Sequence, residues 1–356
     1  MFFDTVEPGP VDVMYGLKIA ADEDKSPLKV DLGVGVYRNE LGNYNEMSVL
    51  RKAKDELHAL NPGHDYEVTT GNSRYLANAA KVAFGGDSSV FDREKIASVQ
   101  TISGTGAVHV ALMLLARSSK ENSRQVYIGT PTWGNYVPMC RLAGLDTKTY
   151  THYNPLTGGV DFESVIDAVR TADEGSIFIL QGCCHNPTAA DFSKEQWQAL
   201  AAEMKNRHLL PLLDIAYQGL GHGIEEDSYG VRHFAQMGFE MIVCQSFSKN
   251  FGLYGERAGA CHVICASETH VQPVHDQLRC LIRWEFSSSP AYGSRLVDLV
   301  LSDSSKQAEW YVVSYLSLNI FIFFDSKTSK LKQSGIPNYT LLGTVLFLFE
   351  NHFSIF

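Results

Sequence analysis

The sequence has little basic charge to offer a polyanion. Thirty lysines and arginines stand against 40 acidic residues, a formal net charge of −10, which argues against a nucleic-acid or anionic-membrane partner. Its seven cysteines form no CxxC pair with a matching second pair. The adjacent Cys183 and Cys184 suit neither a zinc site nor a disulfide framework, so reduced thiols in an intracellular protein are expected and no metal is. No apolar run approaches the roughly eighteen residues of a membrane helix. Asp4, Glu7, Asp12, Asp22, Glu23 and Asp24 crowd the start, where a secretory or mitochondrial presequence is poor in acids. A cytoplasmic location is the expectation, with the mitochondrion left open. Internal repeats and low-complexity linkers are also missing.

What is present is a globular composition, 45% hydrophobic and 20% charged, over 356 residues, enough for two domains or one large one. From about residue 90 to 265, short apolar runs alternate with helix-like stretches: IASVQTI before AVHVALMLLARSSK, QVYIGT before VPMCRLAG, SIFILQG before KEQWQALAAEMKNR, then LLPLLDIAY, MIVCQSF and GACHVICA. That alternation predicts an α/β fold around a mostly parallel sheet covered on both faces. VDLGVGVYRN reads as a short strand and turn, and SRLVDLVLSDSSKQAEW as helical. In such sheets ligands bind at the carboxyl ends of the strands, so the residues just after each strand carry the functional argument.

Five of those strand ends hold chemistry. SGTGA (Ser103 to Ala107) lets backbone N–H groups at a helix start close around a phosphate, or is simply a tight turn. Trp133 in TPTWGNY can stack on a flat heteroaromatic ring or be a partly buried tryptophan. Asn186 in CHNPT precedes a proline that keeps it out of helical geometry, free to point into the crevice. Asp214 ends the very apolar LLPLLD, where a carboxylate needs a cationic partner or goes neutral; the competing role is a helix N-cap. Tyr217 follows, placed to donate to a ring oxygen. Lys249 in SFSKNFGLYGER is the last. A desolvated lysine near cations has a lowered pKa and attacks carbonyls to form a Schiff base, while Ser246 and Arg257 suit a phosphate. Phosphate cradle, ring stacker, ring-nitrogen acid and Schiff-base lysine together specify pyridoxal 5′-phosphate. A nicotinamide site fits poorly, because SGTGA lacks the GxGxxG spacing.

VDLGVGVYRNE, SGTGA, TPTWGNY, HNPT, LDIAYQG and SFSKNFGLYGERAG occur in the order of the class I aspartate aminotransferases, which the chain resembles from about residue 2 to 310. The resemblance implies a fold-type I architecture with a seven-stranded sheet: residues 1–41 as arm and part of a small domain, 42–290 as the large cofactor domain, 291–310 as the return to the small domain. It implies that Lys249 binds the cofactor and shuttles the substrate Cα proton, that Asp214 pairs with the ring nitrogen, and that Tyr217 and Asn186 reach the 3-oxygen. Trp133 would stack on the ring, Asn186 would also contact a substrate carboxylate, and Ser103, Gly104, Thr105, Ser246 and Arg257 would surround the phosphate. Gly35 would lie over the substrate. The family forms two-fold dimers, in which Tyr66 would reach the neighbour's phosphate and Arg283 the distal carboxylate of the neighbour's substrate; Arg279 competes for that role. The implied reaction is L-aspartate with 2-oxoglutarate giving oxaloacetate and L-glutamate, with amino and 2-oxo acids as partners. Aromatic-substrate transamination, or an impaired cofactor-binding form, are the alternatives.

Departures from the family pattern are Ala189 for a glycine, Tyr136 and Gln181 for histidines, and Ser287, Ser288, Ser289 and Pro290 for SNPP. Residues 311–356 are atypical, rich in Phe, Ile, Leu and Ser, and match nothing in the family; a splicing or frameshift difference would explain them. No arginine follows Arg295, whereas the family grips the substrate α-carboxylate with one, and Lys327, Lys330 and Lys332 cannot supply its two-pronged geometry.

Overall fold

In the computed structural model the described residues are 1–26, 35–37, 43–86, 94–118 and 125–312. A seven-stranded sheet runs in the order β1-β9-β8-β7-β6-β2-β3. Its strands are β1 (Ile96–Ile102), β2 (Val126–Thr130), β3 (Thr147–Thr151), β6 (Ile177–Gln181), β7 (Leu210–Ile215), β8 (Met241–Ser246) and β9 (Ala258–Ile264); a small ribbon of β4 (Tyr153–Asn154) and β5 (Gly159–Val160) stands apart. The α/β class with a mostly parallel, helix-flanked sheet is as the sequence leads one to expect.

Neighbouring residues on each strand serve opposite faces. Ile177 and Ile179 pack with Val126, Ile128 and Leu212 on one side, and Phe178 and Leu180 with Tyr127 and Leu213 on the other. Both faces are therefore apolar, which is why these strands read as unbroken hydrophobic runs. Helices Ser103–Ser118 and Val271–Glu285 cover the first face, and Phe162–Thr171, Lys194–Asn206 and Tyr229–Gln236 the second. Each fully buried Leu, Ile or Phe side chain contributes about 1.5–3 kcal/mol. Helix Lys194–Asn206 starts on a reciprocal cap between Ser193 and Gln196, satisfying amides that the first turn leaves open.

β9 is the exception to the parallel order. It pairs antiparallel with both β1 and β8. The loop from Phe247 to Arg257 contains no helix, and a parallel return needs a crossover of a dozen or more residues. The reversal has a functional consequence. The carboxyl ends of β1, β2, β6, β7 and β8 share one edge of the sheet, and the start of β9 lies at that same edge.

A third apolar cluster joins helices Ser48–Leu60, Ser73–Phe84 and Ala291–Leu301 with Phe247, Phe251 and Trp310. The stretch expected to be helical from 291 to 310 is broken at Ser302 and Asp303, then resumes from 304 to 312. Asp303 takes the backbone N–H groups of Ser305 and Lys306, a start signal for a new helix rather than continuation of the old. Of VDLGVGVYRN only 35–37 is described, so the strand and turn expected there lie mainly outside the described residues. So does the tail from 313, with Lys327, Lys330 and Lys332.

Candidate active site

The edge where six strands, β3 included, end and β9 begins gathers the chemistry. Ser103 opens helix Ser103–Ser118 with φ 59. Its hydroxyl hydrogen-bonds those of Ser248 at 2.6 Å and Ser246 at 3.1 Å. A side chain on Gly104 would place Cβ 3.0 Å from that of Ser246, tighter than ordinary packing, so glycine lets this turn sit close against β8. Thr105 is exposed at the mouth of the turn. Arg257 arrives from the start of β9 and donates to the Ser248 hydroxyl at 3.2 Å and to the Tyr254 carbonyl at 3.0 Å. Its φ is 53, and its carbonyl accepts the Ser103 N–H at 3.0 Å. Two non-glycine residues in left-handed backbone, bonded to each other, are strain of the kind that functional sites hold. Three hydroxyls, a guanidinium and a helix N-terminus make an anion cradle. Ser248 at its centre was not singled out from the sequence.

Asp214 is buried at the end of β7. Its Oδ2 accepts the Tyr136 phenol at 2.6 Å, whereas its Oδ1 is buried with no partner. The N-cap role is thus excluded: a phenol, not a helix start, holds the carboxylate. Burial raises the carboxyl to about 6, opposed by the Tyr136 hydrogen bond and by Lys249. Burial also pushes Tyr136 well above the usual phenol range, with Asp214 adding to it. Tyr136 presents its ring edge-on to Trp133, centroids 5.2 Å apart.

Lys249 Nζ lies 5.2 Å over the Tyr217 ring. Burial lowers its pKa; Asp214 opposes this and Arg257 adds to it. Tyr217 is itself raised by burial and by Asp214. Loop contacts fix the lysine: Asn250 donates to the Gln218 carbonyl at 3.0 Å, and Trp310 donates to that of Asn250 at 2.8 Å. Asn186 is held by its backbone, its N–H donating to Gln181 at 2.7 Å and its carbonyl accepting from Gln181 at 2.9 Å. Gln181 therefore positions that loop. Gly35, φ 48, sits two residues before Tyr37, whose N–H donates to the Tyr254 hydroxyl at 2.8 Å. That brings the 35–37 segment beside the anion cradle.

Tyr66 and Arg283 stand elsewhere. They line one open cavity of about 510 Å³ with Glu67, Thr69, Ser287 and Ser288, and Tyr66 is 88% exposed. Arg283 donates to Ser287. Arg279 is paired with Asp276 at 2.8 Å. Cys183, Cys184 and Asp227 bring possible metal-ligand atoms within 4.8 Å of one another. The Asp227 carboxylate already accepts the N–H groups of Gly219, Gly221 and His222.

Comparison with known proteins identifies the family. Residues 27–318 match the family described as aminotransferase class I and II, eight residues further than Trp310, where the sequence reading lost the resemblance. Aminotransferase tasG of Hapsidospora irregularis is 55% identical over 309 residues, 87% of this chain and 82% of that one. The mitochondrial aspartate aminotransferase of Dictyostelium discoideum is 40% identical over 306 residues, 86% and 71% of the two chains. Relatives also include the cytoplasmic aspartate aminotransferase of Oryza sativa subsp. japonica. Among solved structures, the aromatic-amino-acid aminotransferase of Burkholderia pseudomallei, covalently bound to pyridoxal phosphate, superposes with a TM-score of 0.90 at 34% identity, covering 95% of this chain and 85% of that one. No helix among the described residues is long and apolar enough to cross a membrane. The unpartnered Asp214 Oδ1, the anion cradle and the depressed lysine are the donor and acceptor set that pyridoxal phosphate calls for. The chain belongs to the class I and II aminotransferase family, as a pyridoxal-phosphate-dependent transferase.

Proposed function

We propose that this enzyme transfers the amino group of L-aspartate to 2-oxoglutarate, giving oxaloacetate and L-glutamate. When bound, pyridoxal phosphate supplies an electron sink for the charge that develops at the substrate Cα. Lys249 holds the cofactor covalently and carries the proton at Cα, a task that needs an amine partly neutral near pH 7. Its burial-lowered pKa, together with the buried and unpartnered Asp214 oxygen, is the observation that carries the reading. Asp214 receives the ring N–H, Tyr217 and Asn186 hold the 3-oxygen, and Trp133 covers the ring face. Ser103, Gly104, Thr105, Ser246, Ser248 and Arg257 bind the phosphate, and Asn186 and Gly35 border the substrate.

The preference for a dicarboxylic substrate rests on Arg283. A guanidinium binds a carboxylate through two parallel hydrogen bonds, and Arg279, paired with Asp276, is less free to do so. Arg283 and Tyr66 share a solvent-open cavity whose lining does not include Lys249. That arrangement supports a two-fold homodimer in which both residues serve the neighbour's site.

A coupled assay for oxaloacetate formation from aspartate, run beside Lys249→Ala, tests the mechanism, and equal rates in the two would end it. Two other readings are separated by the same assay. The solved relatives include aromatic-amino-acid aminotransferases, so phenylalanine as amino donor is run in parallel; a higher kcat/KM than aspartate would favour that class. The other reading is a cofactor-binding form without turnover. In that case the cofactor's visible absorbance persists when aspartate is added.

A further inference from the structure

Asp214 and Tyr136 are 78 residues apart in sequence and meet in a fully buried contact. A buried carboxylate has about four lone-pair positions to satisfy. Here one oxygen is filled by a phenol at 2.6 Å and the other is empty. Without the phenol the carboxylate would be free to rotate and to offer either oxygen. With it, one oxygen is committed, and the remaining one has a fixed direction.

We propose that Tyr136 is a positioning residue that commits Asp214 to a single ring N–H, holding Oδ2 so that Oδ1 alone is presented to the cofactor nitrogen and setting how strongly that oxygen holds the proton. The inference rests on the assignment of Asp214 as the ring-nitrogen partner. Tyr136 has a second contact suited to the task. Its ring supports the Trp133 indole edge-on, so one side chain sets both the residue proposed for the ring face and the one proposed for the ring nitrogen. Its helix, Tyr136–Leu142, follows directly on that loop, and the position is 1% exposed, which allows the side chain little freedom.

The electrostatics give the direction. The groups facing Asp214 are Tyr136, Lys249 from the β8–β9 loop, Tyr217 after β7, and Cys244 on β8. Of these, Tyr136 and Lys249 favour the ionised carboxyl, and burial opposes them. A neutral phenol donates one proton and, being raised by burial, does not give it up. It therefore moderates the basicity of the carboxylate without becoming a charge itself. Removing the hydroxyl makes Oδ1 a stronger base, which draws a shared proton away from the ring nitrogen.

The test uses the holoenzyme loaded with pyridoxal phosphate carrying ¹⁵N in its ring. Nitrogen chemical shifts are read for the natural protein, Tyr136→Phe and Asp214→Asn, together with a form carrying 3-fluorotyrosine at position 136. In parallel, infrared difference spectra of the cofactor-free full chain follow the Asp214 carboxyl against pH, with Asp214→Asn identifying the band. For Tyr136→Phe the expected result is a ring-nitrogen shift displaced toward the neutral pyridine value. The carboxyl midpoint should rise by about one unit, a tenfold gain in proton affinity, since a hydrogen bond to an ionised group is lost. The fluorinated residue keeps the volume and donates more strongly, so both readouts should move the opposite way. Overpacking or a loosened core would not produce that reversal. A ring-nitrogen shift that responds to Asp214→Asn and ignores both Tyr136 changes overturns the role of Tyr136. A shift indifferent to Asp214→Asn as well overturns the assignment of Asp214, and the proposal with it.

Discussion

Trp310 donates its indole N–H to the carbonyl of Asn250, the residue that follows Lys249. The tryptophan is fully buried, its ring 4.3 Å from that of Phe251. A side chain 61 positions further along the chain than Lys249 thus clamps the loop that carries the lysine. Trp310→Ala should lower stability by about 3–5 kcal/mol, as a large ring is lost from a packed core. Trp310→Phe retains most of the volume but leaves the Asn250 carbonyl unsatisfied, at a cost of about 1–3 kcal/mol. Denaturant melts rank the three proteins. The order natural, Phe, Ala supports the clamp, and an unchanged midpoint for Ala would remove it.

Ser248 links the hydroxyl of Ser103 to the guanidinium of Arg257. Ser248→Ala should weaken cofactor retention by about 1–2 kcal/mol, a five- to thirtyfold faster loss, because one donor goes and Arg257 loses its anchor. Dialysis of the holoenzyme against phosphate, with the residual cofactor absorbance read over time, measures it. Retention equal to that of the natural protein would mean that Ser248 is only a spacer.

Much of this site can be read from sequence because of one rule, that ligands sit at strand carboxyl ends. That rule finds Ser103, Trp133, Asn186, Asp214 and Lys249, since each closes or follows an apolar run. It does not find Ser248. Two serines, Ser246 and Ser248, precede Lys249, and only the antiparallel turn into β9, which brings Arg257 back to the same edge, decides that Ser248 bridges the cradle. The contacts of Tyr136 and Trp310 are not legible for a related reason. Their partners lie 78 and 60 residues away, and nothing local in either stretch records a long-range donor. Gly259 shows the converse. A Cβ there would come within 2.5 Å of the Ser103 carbonyl carbon, a packing demand that a glycine in an apolar strand does not announce.

Asp214 makes stability depend on pH in a definite direction. Its folded value of about 6 lies above the ordinary 3.8, so the folded state holds a proton that the unfolded chain has released. The stabilisation is fully present below about pH 4 and is lost as pH rises through about 6. For the cofactor-free protein this amounts to about 3 kcal/mol from a shift of about two units. Asp214→Asn has no such titration. The stability of the variant relative to the natural protein should therefore improve by that amount between pH 4 and pH 7.5, whatever fixed offset the amide introduces. Parallel pH profiles would contradict a buried, proton-holding carboxyl.

Whether Arg283 acts on its own site or on a neighbour's can be decided by mixing two inactive chains. Lys249→Ala removes the covalent anchor, and Arg283→Ala removes the proposed distal-carboxylate ligand; each homodimer should be nearly inactive on aspartate. In a shared-site dimer, the mixed species has one dead site lacking both residues and one complete site, with Lys249 from one chain and Arg283 from the other. Random pairing of equal amounts makes half the dimers mixed, so about a quarter of natural activity should return. If Arg283 served its own chain, every site in the mixture would lack one residue and nothing would return. Arg279→Ala, whose partner is Asp276 on the surface, should leave aspartate turnover within about twofold. The open cavity shared by Tyr66 and Arg283 favours recovery.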